Sequence, residues 1–489
     1  MDWFEAPEYW LSRFVFERAL GVVYLVAFLA AWNQFRPLLG ERGLLPVPRF
    51  VSRVRFRDAP SLFQLRYSDR LFTVVAAAGI VLSASVVVGL PQAGPLWASM
   101  FVWLALWVLY LSIVNVGQTF YSFGWESLLC EVGALAVFLG DARTAPPILV
   151  VFLMRWLLFR LEFGAGLIKM RGDRCWRDLT CLHYHHETQP MPNPLSWYFH
   201  HLPERAHKVE VLANHFAQLV VPFFLFTPQP IASIAGAIIV LTQVWLILSG
   251  NFSWLNFLTI VLAIFAFGDA TLAYVLPFDR PELVASPSWF EGLVIALTVL
   301  VAVLSYWPVR NMLSRRQLMN FSFNRLHFVG SYGAFGHITK ERYEIVIEGS
   351  ARAGTSETWR AYEFKGKPGD PKRRPPQVAP YHLRLDWLMW FAAMGPPERY
   401  PWAVELVRRL LEGDAPTLGL LRDNPFPDGP PAVVRARLYH YRFTSRAERR
   451  ETGAWWFRTP VALWLPPLAL DAAGALSASA TGARRRTPT

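Results

Sequence analysis

The sequence predicts a polytopic α-helical membrane domain followed by a soluble α+β domain with a small β-sheet. Apolar runs of about 18 residues or more recur along the chain as far as Trp307, and runs of that length cross a bilayer as helices. Beyond Trp307 they give way to shorter segments with the periods of strands and helices. The composition agrees, since 53% of the 489 residues are hydrophobic and 17% are charged. A soluble domain carries about a quarter charged residues.

The apolar segments predict a transmembrane domain over residues 1–310 with about eight or nine helices. They fall near residues 14–32, 71–90, 96–115, 121–140, 146–170, 208–227, 230–250, 252–268 and 289–307. Two connecting loops are long: an Arg-rich loop at 36–70 and a loop rich in His, Trp and Pro at 171–207. The chain starts with MDWFEAPEYW, which lacks the basic region of a cleavable signal peptide. The first apolar segment is therefore predicted to remain as an anchor.

The soluble domain is predicted over residues 311–470. Alternation of polar and apolar residues, typical of half-buried strands, occurs in ERYEIVIEGS, TWRAYEFK and VVRARLYHYRFT. Helical spacing occurs in LRLDWLMWFAAM and WAVELVRRLLEG. Residues 471–489, which end in ASATGARRRTPT, are predicted to form a disordered tail.

One apolar segment, VFLMRWLLFRLEFGAGLIKM, carries several ionisable residues, namely Arg155, Arg160, Glu162 and Lys169. Arg155, Glu162 and Lys169 are seven residues apart, which places them on nearly one face of a helix. Ionisable groups in a spanning helix are costly and usually face the interior of the bundle. The pattern therefore predicts a polar site inside the bundle.

Glu126 and Glu131, in the preceding segment FGWESLLCEVG, are the predicted partners of this stripe. The intramembrane polar site is therefore predicted to comprise Glu126, Glu131, Arg155, Arg160 and Glu162. Lys169 is the candidate catalytic base or substrate ligand, because desolvation can lower the pKa of a lysine toward neutrality. An ion-pair network that fixes helix packing, with Lys169 reaching the headgroups, is the structural alternative.

The loop at 171–207 contains six histidines, and five of them, His183, His185, His186, His200 and His201, form two clusters. Their H-x-H-H and H-H spacings match neither a tetrahedral zinc site nor the H-E-x-x-H helix motif. The sequence therefore predicts no metal site and no cofactor. The loop is expected to pack at the membrane interface, where tryptophan and tyrosine are favoured.

Cys175 and Cys181 lie in the same loop. They can form a disulfide if the loop faces an oxidising compartment, and they remain free thiols otherwise. Both possibilities are open from the sequence.

The net charge of +12 does not accompany any nucleic-acid reader motif, so no nucleic-acid partner is predicted. Membrane lipids are the expected partners of the basic surface. A nucleotide loop, a catalytic triad and a nucleophile elbow are also missing from the sequence.

Six longer blocks of the chain, taken together, carry a resemblance to a known protein family. In the stretch from Leu111 to Thr444, the blocks that end by Ser350 are NVGQTFYSFGWESLLCEVG, LEFGAGLIKMRGDRCWRDLTCLHYHHETQPMPNPLSWYFHHLP, LSGNFSWLNFLTIVLAI and YGAFGHITKERYEIVIEGS. YEFKGKPGDPKRRPPQVAPYHLRLDWLMWFAAM and NPFPDGPPAVVRARLYHYRFT complete it. In content and order these blocks resemble the lipase maturation factor family.

The resemblance implies a folding and maturation factor, more a chaperone than an enzyme, whose clients are exported proteins and, in the family, lipases. Its eukaryotic members lie in the endoplasmic reticulum membrane, with the soluble domain on the lumenal side. On this chain, Tyr332–Gly349 and Tyr362–Phe391 would form the core and the client-facing surface of that domain. The client-contact candidates are Arg384, Asp386, Trp387 and Trp390, which could equally be core and salt-bridge residues.

A second, more distant resemblance concerns FGAGLIKMRGDRCW, which is similar to part of the membrane domain of the vitamin K-dependent carboxylase. Lys169 occupies the position of that family's catalytic base. The alternative function is therefore a membrane enzyme that acts on a lipid, quinone or peptide. The rest of that family's catalytic pattern is not apparent in this chain.

Two lines of inference disagree about topology. The positive-inside rule places the Arg-rich loop 36–70 in the cytoplasm. The resemblance implies instead that this loop, the loop 171–207 and the soluble domain all lie on the exterior or lumenal side. We adopt the second arrangement. The membrane would be the plasma membrane in a bacterium, which the Ala- and Arg-rich composition favours, or the endoplasmic reticulum membrane in a eukaryote.

Overall fold

A computed structural model of the protein describes residues 3–276, 278, 280–352 and 358–478. The first part of the chain is a helical bundle built around a 30-residue helix, α1 (Trp10–Leu39). The helices that follow in this part are α2 (Val47–Val51), α3 (Leu62–Leu65), α4 (Asp69–Val87), α5 (Leu90–Ala93), α6 (Leu96–Val116), α7 (Gly124–Ala136), α8 (Ile148–Arg171), α9 (Arg174–Arg177), α10 (Leu182–Thr188), α11 (Ser196–His200), α12 (Glu204–Leu219), α13 (Ile231–Ser249), α14 (Leu255–Ala263), α15 (Asp269–Leu272), α16 (Ser288–Leu304) and α17 (Tyr306–Leu313).

Helix α1 packs against α4 through aromatic side chains. Phe35 stacks on Phe72 with ring centroids 4.2 Å apart. Gly79 of α4 lies against the ring of Phe28, where a Cβ atom would come within 2.3 Å of a ring carbon. A glycine is therefore required at this crossing, since the buried ring cannot move aside.

The predicted eight or nine crossings are not confirmed. Within the described residues, helical segments long and apolar enough to span a bilayer number 6. They are Pro7–Leu39, Asp69–Val87, Leu96–Val116, Glu204–Phe226, Ile231–Ser249 and Ser288–Leu313. Two predicted spans are too short, because α7 has 13 residues and α14 has 9, against about 20 for a full crossing. Helix α8 has 24 residues but carries the charged side chains already noted. These helices indicate a multi-pass membrane protein.

The C-terminal part is an α+β domain with one antiparallel five-stranded sheet in the order β2-β1-β3-β4-β5. The strands are β1 (Arg342–Ser350), β2 (Arg360–Ala361), β3 (Val433–Phe443), β4 (Trp456–Leu470) and β5 (Leu476–Ala478). The helices are α18 (Arg384–Ala392), α19 (Pro401–Leu411), α20 (Ala415–Leu418) and α21 (Arg446–Thr452). Strands β1 and β3 pair in register from Arg342 with Tyr441 to Ser350 with Val433.

Three details of this domain differ from the sequence-based predictions. In the predicted strand TWRAYEFK only Arg360 and Ala361 pair with β1, because the chain then turns to pair Glu363 with Asp423. Strand β4 was not predicted, since it contains three prolines. Pro460 is tolerated because β5 pairs only with the last residues of β4, so that β4 is an edge strand there. In the predicted tail, residues 476–478 form β5, whereas 479–489 lie outside the described residues.

The soluble domain packs on one end of the bundle. Near the C-terminal end of α1, the Gln34 amide donates to the His382 carbonyl at 2.7 Å and accepts from the Arg384 backbone N–H at 2.9 Å. Near the other end of α1, Glu5 forms an isolated bridge with Pro147. Residues 5–9 and the soluble domain therefore lie at opposite ends of this helix, which is about 45 Å long.

A buried ion pair joins the two domains. The Arg384 guanidinium donates to Glu126 Oε1 of α7 at 2.6 Å, and neither side chain is exposed. The Tyr110 hydroxyl donates a short hydrogen bond to the other oxygen of Glu126. Burial, and then the charge of Arg384, lower the pKa of His382 to about 4, so that this neighbour of Glu126 is neutral at pH 7.

We expect replacement of Arg384 by methionine to destabilise the protein by about 3–5 kcal/mol, because Glu126 is then left as an unpaired buried charge. The thermal unfolding midpoint of the full-length protein in detergent, followed by tryptophan fluorescence, measures the effect. The matched control is Arg422→Met, which removes an ion pair with Asp423 whose side chains are 49% and 62% exposed. It should cost less than about 1 kcal/mol.

The companion variant Glu126→Gln/Arg384→Met removes both charges and should recover part of the lost stability. Equal unfolding temperatures for the wild type and Arg384→Met would show that the pair does not hold the two domains together.

Candidate functional site

The loop at 171–207 connects the bundle to the soluble domain. Arg342, at the start of β1, donates to the backbone carbonyls of Glu187 at 3.0 Å and Gln189 at 2.5 Å. The Trp197 indole donates to the Thr444 carbonyl at 2.8 Å, and its ring packs on the sheet face opposite α18. The loop thus forms part of the core of the soluble domain instead of lying free at the membrane surface.

Between the bundle, this loop and the soluble domain lies a cavity of about 970 Å³. Its wall is mainly apolar and aromatic. Trp176 comes from the loop, Trp245 from α13, and Trp387 and Trp390 from α18. A volume of this size falls at the upper end of the range for small-molecule pockets.

A polar strip crosses the membrane-domain side of the cavity. The Lys169 ammonium donates to Gln218 Oε1 at 2.6 Å, and the Gln243 amide donates to Glu162 Oε1 at 2.7 Å. The Asn256 amide in turn donates to Gln243 Oε1 at 2.7 Å. Glu162 and Lys169 are both buried and both line the cavity. The cavity can therefore hold an apolar molecule with a polar or charged group at this strip.

The other predicted members of the intramembrane site are not part of the strip. Glu131 and Arg160 form a buried ion pair, and Arg160 also donates to the Gly330 carbonyl at 2.7 Å. The Tyr332 hydroxyl and the Gly330 N–H donate to Glu131 Oε2 at 2.6 Å and 2.9 Å. This network anchors the segment that leads into the soluble domain.

Arg155 takes a third position, although it shares a helix face with Glu162 and Lys169. Its guanidinium donates to the Phe265 carbonyl at 2.9 Å and to the Tyr9 hydroxyl at 2.7 Å. The single polar site predicted from the sequence is therefore divided. Glu126 and Glu131 bind separate arginines, Arg155 binds uncharged oxygens, and Glu162 and Lys169 meet at the cavity.

The client-contact candidates are interior residues in this structure. Arg384 pairs with Glu126, and Asp386 accepts hydrogen bonds from the backbone N–H groups of Gly366 and Lys367 at 2.6 Å and 3.0 Å. Burial raises the pKa of Asp386. Their burial follows from helix α18, whose first turn lies between the sheet and the bundle.

The two tryptophan candidates also point inward. Trp387 is buried, and the half-buried Trp390 donates from its indole to the Thr188 carbonyl at 3.1 Å. Both rings form the cavity wall contributed by the soluble domain. Both side chains therefore face the cavity, and their contact with a client stays a prediction.

The loop cysteines and histidines occupy defined positions. Cys175 and Cys181 are joined in a disulfide, with Cα atoms 4.8 Å apart. His185 lines the cavity, and burial lowers its pKa to about 3, so that it is neutral. The neighbouring His186 points away from the cavity toward α12, where it meets His207 and Glu210.

His207 and Glu210 were missed in the sequence because they lie at and just beyond the end of the predicted loop, six or more residues after its last histidine cluster. The spacing H-x-x-E on α12 is the signal that could have identified them, since residues three apart share a helix face. Gln218 and Gln243 were also missed, because amides in apolar helices carry no charge signature.

The comparisons with known proteins follow the same division into two domains. The model of the lipase maturation factor transmembrane domain matches residues 11–274. The model of the lipase maturation factor C-terminal domain matches residues 328–466. No solved structure matches the chain.

Curated relatives extend over nearly the whole sequence. Lipase maturation factor 1 of Homo sapiens is 44% identical over 95% of this chain and 88% of its own length. Lipase maturation factor 1 of Bos taurus is also 44% identical, over 95% of this chain and 90% of its own length. Lipase maturation factor 2 of Homo sapiens is 29% identical over 94% of this chain and 83% of its own length. The chain belongs to the lipase maturation factor family.

Proposed function

We propose that this protein is a membrane-embedded maturation factor that assists the folding or assembly of exported lipases. The observation that carries the proposal is similarity to proteins named lipase maturation factor through both domains, at 44% identity over 95% of the chain. Similarity restricted to the bundle would have supported a shared membrane scaffold alone. The soluble domain, where the family resemblance places client contact, is matched as well.

The buried ion pairs that join the two domains support a non-enzymatic role. Glu126, Glu131 and Arg160 are used in buried contacts that anchor the soluble domain or the segment leading into it. Groups held in such pairs are not available to transfer protons to a substrate. Of the predicted polar residues, Glu162 and Lys169 remain candidates for chemistry, because both line the cavity.

The specific activity of secreted lipase in source cells tests the proposal. We expect deletion of the gene to lower activity per lipase molecule, with the lipase still synthesised, and wild-type complementation to restore it. Lys169→Met, compared at matched abundance in the membrane, should restore activity as well, because a folding factor does not require a base at the cavity.

Two other outcomes would contradict this proposal in different ways. Rescue by the wild type but not by Lys169→Met, with equal abundance and equal unfolding temperature, would indicate chemistry at the cavity and favour the membrane-enzyme alternative. Unchanged lipase activity after deletion would show that lipases are not the clients of this chain.

We also propose that the loop at 171–207 and the soluble domain face the exported side, which is the exterior or the lumen. The disulfide between Cys175 and Cys181 supports this orientation, because disulfides persist in oxidising compartments. The loop and the soluble domain share a core, so they lie on one side together. Client proteins would then meet the soluble domain after translocation.

Cysteine labelling tests the orientation. In the Cys130→Ser background, we expect a membrane-impermeant maleimide to label the half-buried Cys175 from the exported side only after treatment with an impermeant phosphine reductant. The Cys175→Ser/Cys181→Ser protein is the control for background labelling. Labelling that requires permeabilisation of the membrane would place the loop on the cytoplasmic side, and labelling without reductant would argue against the disulfide.

A further inference from the structure

Three side chains from two elements meet beside the cavity wall. His186 lies on α10, and His207 and Glu210 lie one turn apart on α12. One ring nitrogen of each histidine and one carboxylate oxygen all fall within 4.8 Å of one another. His186 is 1% exposed and His207 is 3% exposed.

The atoms that face one another have no hydrogen-bond partner among the described residues. These atoms are His186 Nε2, His207 Nδ1 and Glu210 Oε2. His186 Nε2 is 3.6 Å from Glu210 Oε2, and His207 Nδ1 is 3.8 Å from the same oxygen. Both distances exceed the range of about 2.7–3.2 Å for a hydrogen bond between nitrogen and oxygen. Burying polar atoms without a hydrogen-bond or ligand partner costs free energy, so these three atoms together are suited to bind a shared partner.

The opposite atoms of two of these side chains are held in place. Trp245 donates from its indole to Glu210 Oε1 at 2.7 Å, which leaves Oε2 turned toward the histidines. His207 Nε2 lies 3.4 Å from the His200 carbonyl. A carbonyl can only accept a hydrogen bond, so this contact puts the N–H of the neutral imidazole on Nε2 and a lone pair on Nδ1. Outer contacts of this kind orient histidine and carboxylate ligands in metal sites.

We propose that His186, His207 and Glu210 bind a divalent transition-metal ion of the Zn²⁺ class. Two imidazoles and one carboxylate are a ligand set that such ions accept. Ligands about 2.1 Å from a tetrahedral ion lie roughly 3.4 Å from one another. The separations of 3.6 Å and 3.8 Å from Glu210 Oε2 are close to this value, and all three ligand atoms lie within 4.8 Å of one another, so the side chains would move closer together around an ion.

A further histidine, His183, lies near the three proposed ligands. His183 has its ring centroid 5.4 Å from that of His207, and its Nε2 has no partner within the described residues. It can complete the coordination through a water molecule, because its nitrogens lie outside the group of three ligand atoms within 4.8 Å of one another. The ion would also compensate the charge of the half-buried Glu210 carboxylate, whose side chain is 12% exposed.

The location indicates what the ion would do. It would cross-link α10 to α12 of the bundle. Helix α10 lies in the loop that packs into the soluble domain. Glu210 also lines the cavity, so the ion would stabilise the wall on that side. This role is independent of the identity of the client, and it goes beyond the proposed maturation function.

The metal content of the full-length protein tests the inference. The protein should be purified in detergent through a tag without histidines and without chelators, and its bound metal measured by inductively coupled plasma mass spectrometry. We expect about one ion per chain in the wild type and at least a tenfold lower metal content in Glu210→Gln and in His207→Gln. Loss of an outer contact to a ligand lowers metal affinity about 10–100-fold, and loss of the ligand itself lowers it further. The control is His201→Gln, whose Nδ1 contacts the Trp197 carbonyl instead of the cluster and which should keep the ion.

A second measurement does not depend on the folding of a variant. Wild-type protein treated with chelator and then dialysed should unfold at a higher temperature when ZnCl₂ is added, because an ion that binds the folded state stabilises it. Replacement of Zn²⁺ by Co²⁺ should give the visible absorption of a tetrahedral site. A wild-type protein that carries no stoichiometric metal and shows neither response to ZnCl₂ nor a cobalt spectrum would overturn the proposal, as would undiminished metal in the folded ligand variants.

Discussion

The structure depends on the need to neutralise charge in an apolar interior. An unpaired ion buried away from water costs several kcal/mol even after relaxation, and inside a membrane the surrounding lipid cannot supply a partner. This chain buries two acidic residues on α7, and a different arginine neutralises the charge of each. Glu126 is neutralised by an arginine of the soluble domain, and Glu131 by an arginine of the neighbouring helix α8.

The ion pair between Glu126 of the bundle and Arg384 of the soluble domain couples the two domains. Because the charge partner of Glu126 is Arg384, α7 is satisfied only when the soluble domain is docked on the bundle. The loop at 171–207 reinforces the contact from the other side, with the Arg342 guanidinium on its carbonyls and the Trp197 ring in the domain core. A maturation factor that receives clients outside the membrane would gain from such a connection, since its soluble domain keeps a defined position relative to the bundle.

The cavity follows from the same arrangement. Helix α18 closes it with Trp387 and Trp390, while the membrane helices contribute the strip that contains Lys169 and Glu162. The strip is bridged by glutamine and asparagine amides, which satisfy the charged groups without filling the space. Apolar walls around a few hydrogen-bonding groups are typical of sites that bind small amphipathic molecules.

The local pattern of the sequence determined much of the architecture. Apolar length identified the membrane domain, alternation identified β1 and β3, and helical spacing identified α18 and α19, because these periods follow from backbone geometry alone. Polar interruptions correctly marked Glu162 and Lys169 as interior residues. The length criterion failed for α7 and α14, which are short helices inside the bundle. Strand β4 was missed for another reason, because its prolines hide the strand pattern and Pro460 is acceptable only at a sheet edge.

Only the tertiary structure decided which polar groups meet. Glu126 and Arg384 are 258 residues apart, so no local spacing connects them. His186 reaches His207 and Glu210 because α10 and α12 fold back on each other, and the cavity exists only where bundle, loop and soluble domain converge. Sequence periodicity states which face of an element is buried. The partner of that face depends on how distant elements pack, and packing is set by the shape and charge of the whole chain.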